Sequence, residues 1–190
     1  MKIIEFRLIN TEDQYDETFN DGSAWSRVYE YPLVLKKLKE LNANENSLIH
    51  NSSWGFDDVH IRFKNALSLL YTNTVHSDIK PSSLENTFIY NITTESPEEL
   101  RDKFDFVINI STVEEVRFNH LKILQNLYNQ VKEGGYLVIT FDYPGLDLEL
   151  IQRALNCKLE TFENNLNGAN SKLQNFTYRH LNCGLLIIKK

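Results

Sequence analysis

Apolar and polar positions alternate along the chain in blocks that predict short strands separated by longer helices. The block Phe104–Ile110 is almost continuously apolar, which is typical of a central parallel strand covered on both faces. Shorter apolar blocks predict four further strands, at 47–50, 73–78, 87–92 and 136–141. A short strand is also expected near the N-terminus, ahead of an irregular segment that we interpret as a lid or lead-in.

The segments between these strands repeat apolar residues at helical spacing. One of them, 118–132, is followed by Gly134 and Gly135, which we expect to stop the helix. Another begins with Ser96 and Pro97, a typical helix-start pair. Further helices are predicted to begin near Pro32, Asp57 and Asp147.

Repeated strand–helix alternation predicts an α/β fold of three layers, with a doubly wound, mostly parallel, Rossmann-like sheet in the middle. Two last strand candidates, 157–163 and 184–189, have no helical pattern between them and predict an antiparallel hairpin. The 190 residues suit a single domain. We divide it into a lead-in strand, lid segment and helix (1–45), an α/β core (46–145), and a C-terminal helix and hairpin (146–190).

Charge and composition exclude several classes of function. The formal net charge of −6 leaves no basic field for binding nucleic-acid phosphates, and we find no local basic patch. No segment approaches the roughly 20 apolar residues of a membrane span, and charge interrupts the N-terminus before a signal peptide can form. We therefore expect a soluble cytoplasmic protein that binds neither nucleic acid nor membrane. Neither the histidines nor Cys157 and Cys183 have metal-ligand spacing, so no metal site is predicted.

In an open sheet of this kind, the ligand lies outside the carboxyl ends of the strands. This rule places four loops at the site: 51–56, 78–80, 91–93 and 109–115. The chain has no Walker loop, no Gly-x-Ser-x-Gly elbow and no Gly-x-Gly-x-x-Gly. These absences argue against P-loop, α/β-hydrolase and ordinary dinucleotide-binding functions.

The stretch Phe104–Val116 resembles the fourth strand and the acidic turn of class I S-adenosylmethionine-dependent methyltransferases. It is continued by Lys132–Thr140, which is similar to the Gly-Gly turn and fifth strand of that family. The resemblance covers roughly residues 25–145 and is most specific in its second half. It implies that S-adenosylmethionine lies across the carboxyl edge of the sheet, with Asn109 and Ser111 among the residues that contact it.

The resemblance also implies a role for residues outside this stretch. Asp78, at the end of the second core strand, occupies the position that binds the ribose hydroxyls, as a carboxylate can. Asn91 and Ile92 match a pair that meets the adenine, and Arg27 is placed to pair with the carboxylate of the cofactor. Each has an alternative: Asp78 can simply end a strand in a turn, Asn91 can cap a turn, and Arg27 can form a surface ion pair with Glu30.

The first loop departs from the pattern of the family. An acidic residue and spaced glycines are expected there, whereas this chain has Asn51 followed by Ser52, Ser53, Trp54 and Gly55. The short polar side chains can bind a modified ligand, and Trp54 can stack on the cofactor or fill its space. Alternatively, the loop is a turn that caps the following helix and binds no ligand.

Methyl transfer depends mainly on positioning and needs a general base only if the acceptor must lose a proton. Glu115 and Asp142 are our candidates among the carboxylates at this edge. Two hypotheses follow. The protein is either a methyltransferase for a small molecule such as a sugar or glycan precursor, or a methyltransferase-like binding or partner protein without turnover.

Overall fold

The computed structural model describes residues 1–9, 13, 15–20, 26–55, 58–83, 86–143, 145–155 and 182–190. Within these residues, seven strands form one sheet in the order β1-β7-β6-β5-β2-β3-β4. The strands are β1 (Lys2–Leu8), β2 (Ile49–Ser52), β3 (Thr74–Asp78), β4 (Thr87–Ile89), β5 (Phe104–Ile110), β6 (Val131–Tyr143) and β7 (Asn182–Lys189). The α-helices are α1 (Arg27–Glu40), α2 (Asp58–Leu70), α3 (His120–Tyr128) and α4 (Leu148–Leu155), and 3-10 turns lie at Glu17–Phe19 and Glu98–Leu100.

Strands β2 to β6 pair in parallel, whereas β7 runs antiparallel between β6 and β1. The predicted doubly wound, mostly parallel sheet is therefore confirmed, and β7 is the antiparallel strand predicted at 184–189 as part of a terminal hairpin. The predicted strand at 157–163 and the predicted helix start at Asp57 lie outside the described residues. No helix among the residues described is long and apolar enough to cross a membrane.

Two apolar layers hold the helices against opposite faces of the sheet. On one face, α1 and α2 bury Leu33 and Leu67 against strand residues such as Ile108. On the other face, α3 and α4 bury side chains such as Leu124 and Ile151. Burial of this apolar surface is the main force that holds the three layers together.

Helix α1 differs from its prediction at the N-terminus. It begins at Arg27, so Pro32 lies inside the helix and not in its first turn. Proline has no N–H to donate to the carbonyl four residues earlier, which here is that of Val28. The backbone N–H of Asp16 donates to this carbonyl instead, at 2.8 Å. The carbonyl that Pro32 leaves without a helical donor thus anchors the lead-in segment to α1.

The double glycine also has a different role from the one predicted. Helix α3 ends at Tyr128, and both Gly134 and Gly135 lie inside β6. A Cβ atom at Gly135 would lie 2.6 Å from the backbone oxygen of Asp105. Glycine is required there because β6 passes very close to the neighbouring strand.

The helix predicted after Ser96 is reduced to the single 3-10 turn Glu98–Leu100, and the side chain of Ser96 does not cap it. Instead, the Ser96 hydroxyl donates to the backbone oxygen of Asn126 in α3. Asp147 does cap its helix as predicted, because its Oδ1 accepts the N–H of Leu150 at 2.9 Å.

Gly184 should be intolerant of any side chain. It pairs with Phe141 across β6 and β7, and a Cβ atom at Gly184 would lie 2.2 Å from the Phe141 ring. We expect Gly184→Ala to lower the free energy of unfolding in urea by about 1–3 kcal/mol, because the buried ring must be displaced.

The matched control is Gly184→Ala in a Phe141→Leu background, where the smaller side chain leaves room for the methyl group. The glycine substitution should cost clearly less there. An equal cost in both backgrounds would show that the Phe141 ring is not the cause.

Candidate functional site

The parallel pairing brings polar residues from separate strands to one edge of the sheet. Ser52 at the end of β2 is paired with Ser77 on one side and with Asn109 on the other. Asp78 ends β3 on the same edge, and Asp142 lies near the end of β6. The four loops expected at the site therefore start from a common edge.

A cavity of about 210 Å³ opens at this edge, and four of the predicted cofactor residues line it. They are Ser53, Asp78, Asn91 and Ile92. The remaining wall is contributed by Ile79, Tyr90, Thr93, Thr112 and Val116. The lining thus combines apolar surfaces with a few polar groups, which is the usual composition of a small-molecule site.

Asp78 connects the first loop to the end of β3. Its Oδ2 accepts the backbone N–H of Gly55 and its Oδ1 accepts that of Lys80, both at 3.2 Å. The residue is only 9% exposed. Because each carboxylate oxygen can accept more than one hydrogen bond, this arrangement still allows Asp78 to bind hydroxyl groups in the cavity.

The first loop turns sharply after a strand that begins and ends two residues later than predicted. Ser53 has a φ of +57° and Gly55 a φ of +75°, and the Ser53 N–H donates to the backbone oxygen of Ser77 at 2.8 Å. Trp54 is 4% exposed, with its ring centroid 6.3 Å from that of His76. Trp54 therefore packs beside His76 and does not line the cavity. The Ser52 side chain is also fully buried and contributes nothing to the lining.

Asn91 has the turn role that the sequence left open as an alternative. Its Oδ1 accepts the backbone N–H of Thr93 at 3.0 Å and the Thr93 hydroxyl at 2.8 Å. The amide oxygen is therefore already bonded, and the amide N–H₂ is the group through which Asn91 can bind a ligand. Asn109 has an equally structural bond, because its Nδ2 donates to the backbone oxygen of Ser52 at 3.2 Å. Asn109 does not line the cavity.

Arg27 and Ser111 lie outside this cavity, and both bond to the carboxylate of Glu30. Arg27 Nη1 pairs with Glu30, and the Ser111 hydroxyl donates to the other oxygen of the same carboxylate. Burial by itself would raise the pKa of Glu30, but the Arg27 guanidinium and the Ser111 hydroxyl hold it below its usual range. The Arg27–Glu30 pair that the sequence suggested is real, but it is buried and does not lie on the surface.

A second pair of carboxyl groups lies beside Glu30. Glu114 Oε1 accepts the backbone N–H of Asp142 at 2.6 Å. Burial raises the pKa of Glu114 to about 8, and burial together with the charge of Glu30 raises the pKa of Asp142 to about 7. Glu115, the other predicted base, is exposed.

Glu30 and Glu114 are the charged residues of the site that we did not select from the sequence. For Glu30 a signal was present, since a glutamate three residues after an arginine on a helix lies on the same face and can pair with it. For Glu114 no such signal was present. Two neighbouring glutamates in a loop cannot be distinguished by their sequence pattern, and only the tertiary structure buries one of them. No group of three or more metal-ligating side chains occurs in the parts of the chain described.

Comparison with solved structures finds the same fold. The [4+2]-cyclase SpnF matches with a TM-score of 0.57 at 11% identity, over 95% of this chain and 88% of that one. A TehB-like SAM-dependent methyltransferase from Corynebacterium glutamicum matches at 0.54 and 12%, over 81% and 85%. The MccD protein matches at 0.52 and 12%, over 84% and 96%. No family model matches the sequence, and no match was found among curated proteins.

The chain therefore has the Rossmann-like fold of the class I S-adenosylmethionine-dependent methyltransferases, as its sequence predicted. Identities of 11–12% establish the fold alone. Since one of these proteins is a cyclase, the fold by itself does not determine the reaction.

The raised pKa values predict how stability depends on pH. Between the ordinary carboxyl pKa of about 4 and the raised pKa values of about 7 for Asp142 and about 8 for Glu114, the folded protein retains protons that the unfolded chain has already released. Its free energy of unfolding must therefore fall as pH rises through this range. Glu114→Gln keeps an acceptor for the Asp142 N–H but cannot ionise. Between about pH 7 and about pH 9, the variant should lose roughly 1 kcal/mol less stability in urea than the wild type.

Glu99→Gln, which changes an exposed carboxylate in the same way, is the control and should lose as much stability as the wild type. If Glu114→Gln also lost as much as the wild type, Glu114 would not be the group that holds the proton.

Proposed function

We propose that this protein binds S-adenosylmethionine through the adenosine half of that molecule and transfers its methyl group to a small-molecule acceptor. The observation that carries the proposal is the cavity at the carboxyl edge. Residues from four separate loops, among them Ser53, Asp78, Asn91 and Thr112, line it together.

The cavity suits a nucleoside in both size and chemistry. Its 210 Å³ is below the roughly 300–1,000 Å³ of sites that enclose a whole drug-sized ligand. Ile79, Ile92 and Val116 supply apolar surface for the faces of a base. The Asp78 carboxylate can accept hydrogen bonds from ribose hydroxyls, and the Asn91 amide N–H₂ can donate to a ring nitrogen.

The segment after β5 connects this cavity to the buried carboxyl groups. Thr112 and Val116 line the cavity, and Glu114 lies between them in sequence and contacts Asp142. When bound, S-adenosylmethionine supplies an activated methyl group, so the task of the protein is to orient the acceptor. Near neutral pH, Asp142, with a pKa of about 7, is partly ionised and can take a proton from an acceptor, whereas Glu114, with a pKa of about 8, is mainly protonated.

The acceptor that we favour is a polar organic molecule such as a sugar or glycan precursor. Support comes from the loops after β5 and β6, where acidic side chains lie near the partly exposed Tyr143. A cytoplasmic location would agree with this role.

A second candidate is a methyltransferase-like protein that binds a nucleoside or a partner without turnover. The observation that favours it is the buried bond between Arg27 and Glu30, because it engages the side chain expected to bind the cofactor carboxylate. Calorimetry with S-adenosylmethionine, followed by an assay for S-adenosylhomocysteine release with a panel of sugars and amines, separates the two. Binding with release supports the first candidate, and binding without release supports the second. No binding at millimolar ligand contradicts the first candidate and leaves the second only as a partner-binding protein.

Asp78→Asn tests the cavity directly. We expect S-adenosylmethionine to bind about 10- to 100-fold more weakly in isothermal titration, because a neutral amide replaces a charged acceptor for the ribose hydroxyls. Asp102→Asn makes the same chemical change at an exposed residue before β5 and should leave the affinity unchanged. Equal affinities for Asp78→Asn and wild type would place the nucleoside elsewhere.

A further inference from the structure

The guanidinium of Arg27 is bonded to a carboxylate that belongs to the protein. Glu30 is fully buried and receives both Arg27 and the Ser111 hydroxyl. Arg27 and Glu30 lie one turn apart on α1, whereas Ser111, which directly follows β5, is brought to Glu30 by the tertiary fold. The side chains that would bind the carboxylate of an amino-acid ligand are thus already occupied.

We infer that Glu30 is a specificity-determining residue that acts as an internal carboxylate and prevents Arg27 from binding the carboxylate of a ligand. The cavity then recognises adenosine-containing ligands by their nucleoside and gains no affinity from an amino-acid group attached to it. This inference rests on the proposed function.

The charges around Arg27 support the inference. Asp142 lies within electrostatic range of Arg27, and Glu114 is within range of both Asp142 and Glu30. The guanidinium therefore already compensates the charge of Glu30 and lies within range of the Asp142 carboxyl group, and a ligand carboxylate would add a further negative charge beside Glu30. A site built to bind an anion would have an excess of positive charge.

A ligand carboxylate would also gain little affinity by displacing Glu30 from Arg27. Glu30 is buried, and if it lost Arg27 it would remain as an uncompensated charge in a site from which water is excluded. The carboxylate of a ligand would have to compensate for that loss before it contributed any affinity. The internal pair is therefore the stable arrangement, with or without a nucleoside in the cavity.

Titration calorimetry of the full-length protein with two nucleosides tests the inference. S-adenosylhomocysteine carries an amino-acid group, whereas 5′-methylthioadenosine has the same nucleoside and lacks that group. We expect the wild type to bind the two with dissociation constants within about threefold of each other. In Glu30→Gln, S-adenosylhomocysteine should bind at least about tenfold more tightly than in wild type, while 5′-methylthioadenosine should not change.

Two further variants guard against a simple effect on folding. Glu40→Gln changes an exposed glutamate on the same helix, which pairs with Lys36 and Lys37, and should behave like wild type. The double variant Arg27→Gln with Glu30→Gln removes both buried charges together, so it leaves neither unpaired. It should bind the two nucleosides equally, because the gain in Glu30→Gln depends on Arg27.

The outcomes separate this inference from the proposed function. If wild type binds S-adenosylhomocysteine at least tenfold more tightly than 5′-methylthioadenosine, the inference is overturned while the proposed function stands. A Glu30→Gln variant that is folded by circular dichroism but shows no gain for S-adenosylhomocysteine overturns it as well. If neither nucleoside binds the wild type, the proposed function and the inference both fail.

Discussion

The parallel pairing of β2 with β3 on one side and with β5 on the other determines how the first loop, Asp78 and Asn109 lie relative to one another. Strands that run in the same direction end at the same edge, so residues far apart in sequence become neighbours there. Gly55 bonds to Asp78, and Asn109 bonds to the backbone of Ser52, only because these three strands are in register. The helices on both faces keep the strands in that register by covering their apolar side chains.

The same edge is divided into two chemically different halves. Around Asp78 the polar groups border a cavity, and the bonds they make to the backbone still allow them to contact a ligand. Around Arg27 the polar groups bond to one another, and burial with Glu30 leaves the arginine engaged by the protein itself. The first half has a surface complementary to a nucleoside. In the second half, the arginine that would bind a ligand carboxylate is already bonded to Glu30.

Predictions of helix ends from short sequence patterns were correct where residues close in sequence supply the hydrogen-bond partners of the backbone. Asp147 caps its helix because the bond to Leu150 needs only three residues of chain. The prediction for Pro32 was wrong because the carbonyl that proline leaves without a helical donor is reached by Asp16, from a segment outside the helix. The Gly-Gly pair was misinterpreted for a related reason, since the demand for glycine at Gly135 comes from the backbone of Asp105 on the adjacent strand.

The alternation of strands and helices and the position of the central strand Phe104–Ile110 could be read from the sequence, and with them the fold and the edge that carries the site. These properties follow from periodicity, which each segment expresses without its neighbours. The packing of Trp54 away from the cavity, and the burial of the Arg27–Glu30 pair against Ser111, could be known only from the folded molecule. Both outcomes depend on groups from separate elements that burial brings together, which no single segment specifies.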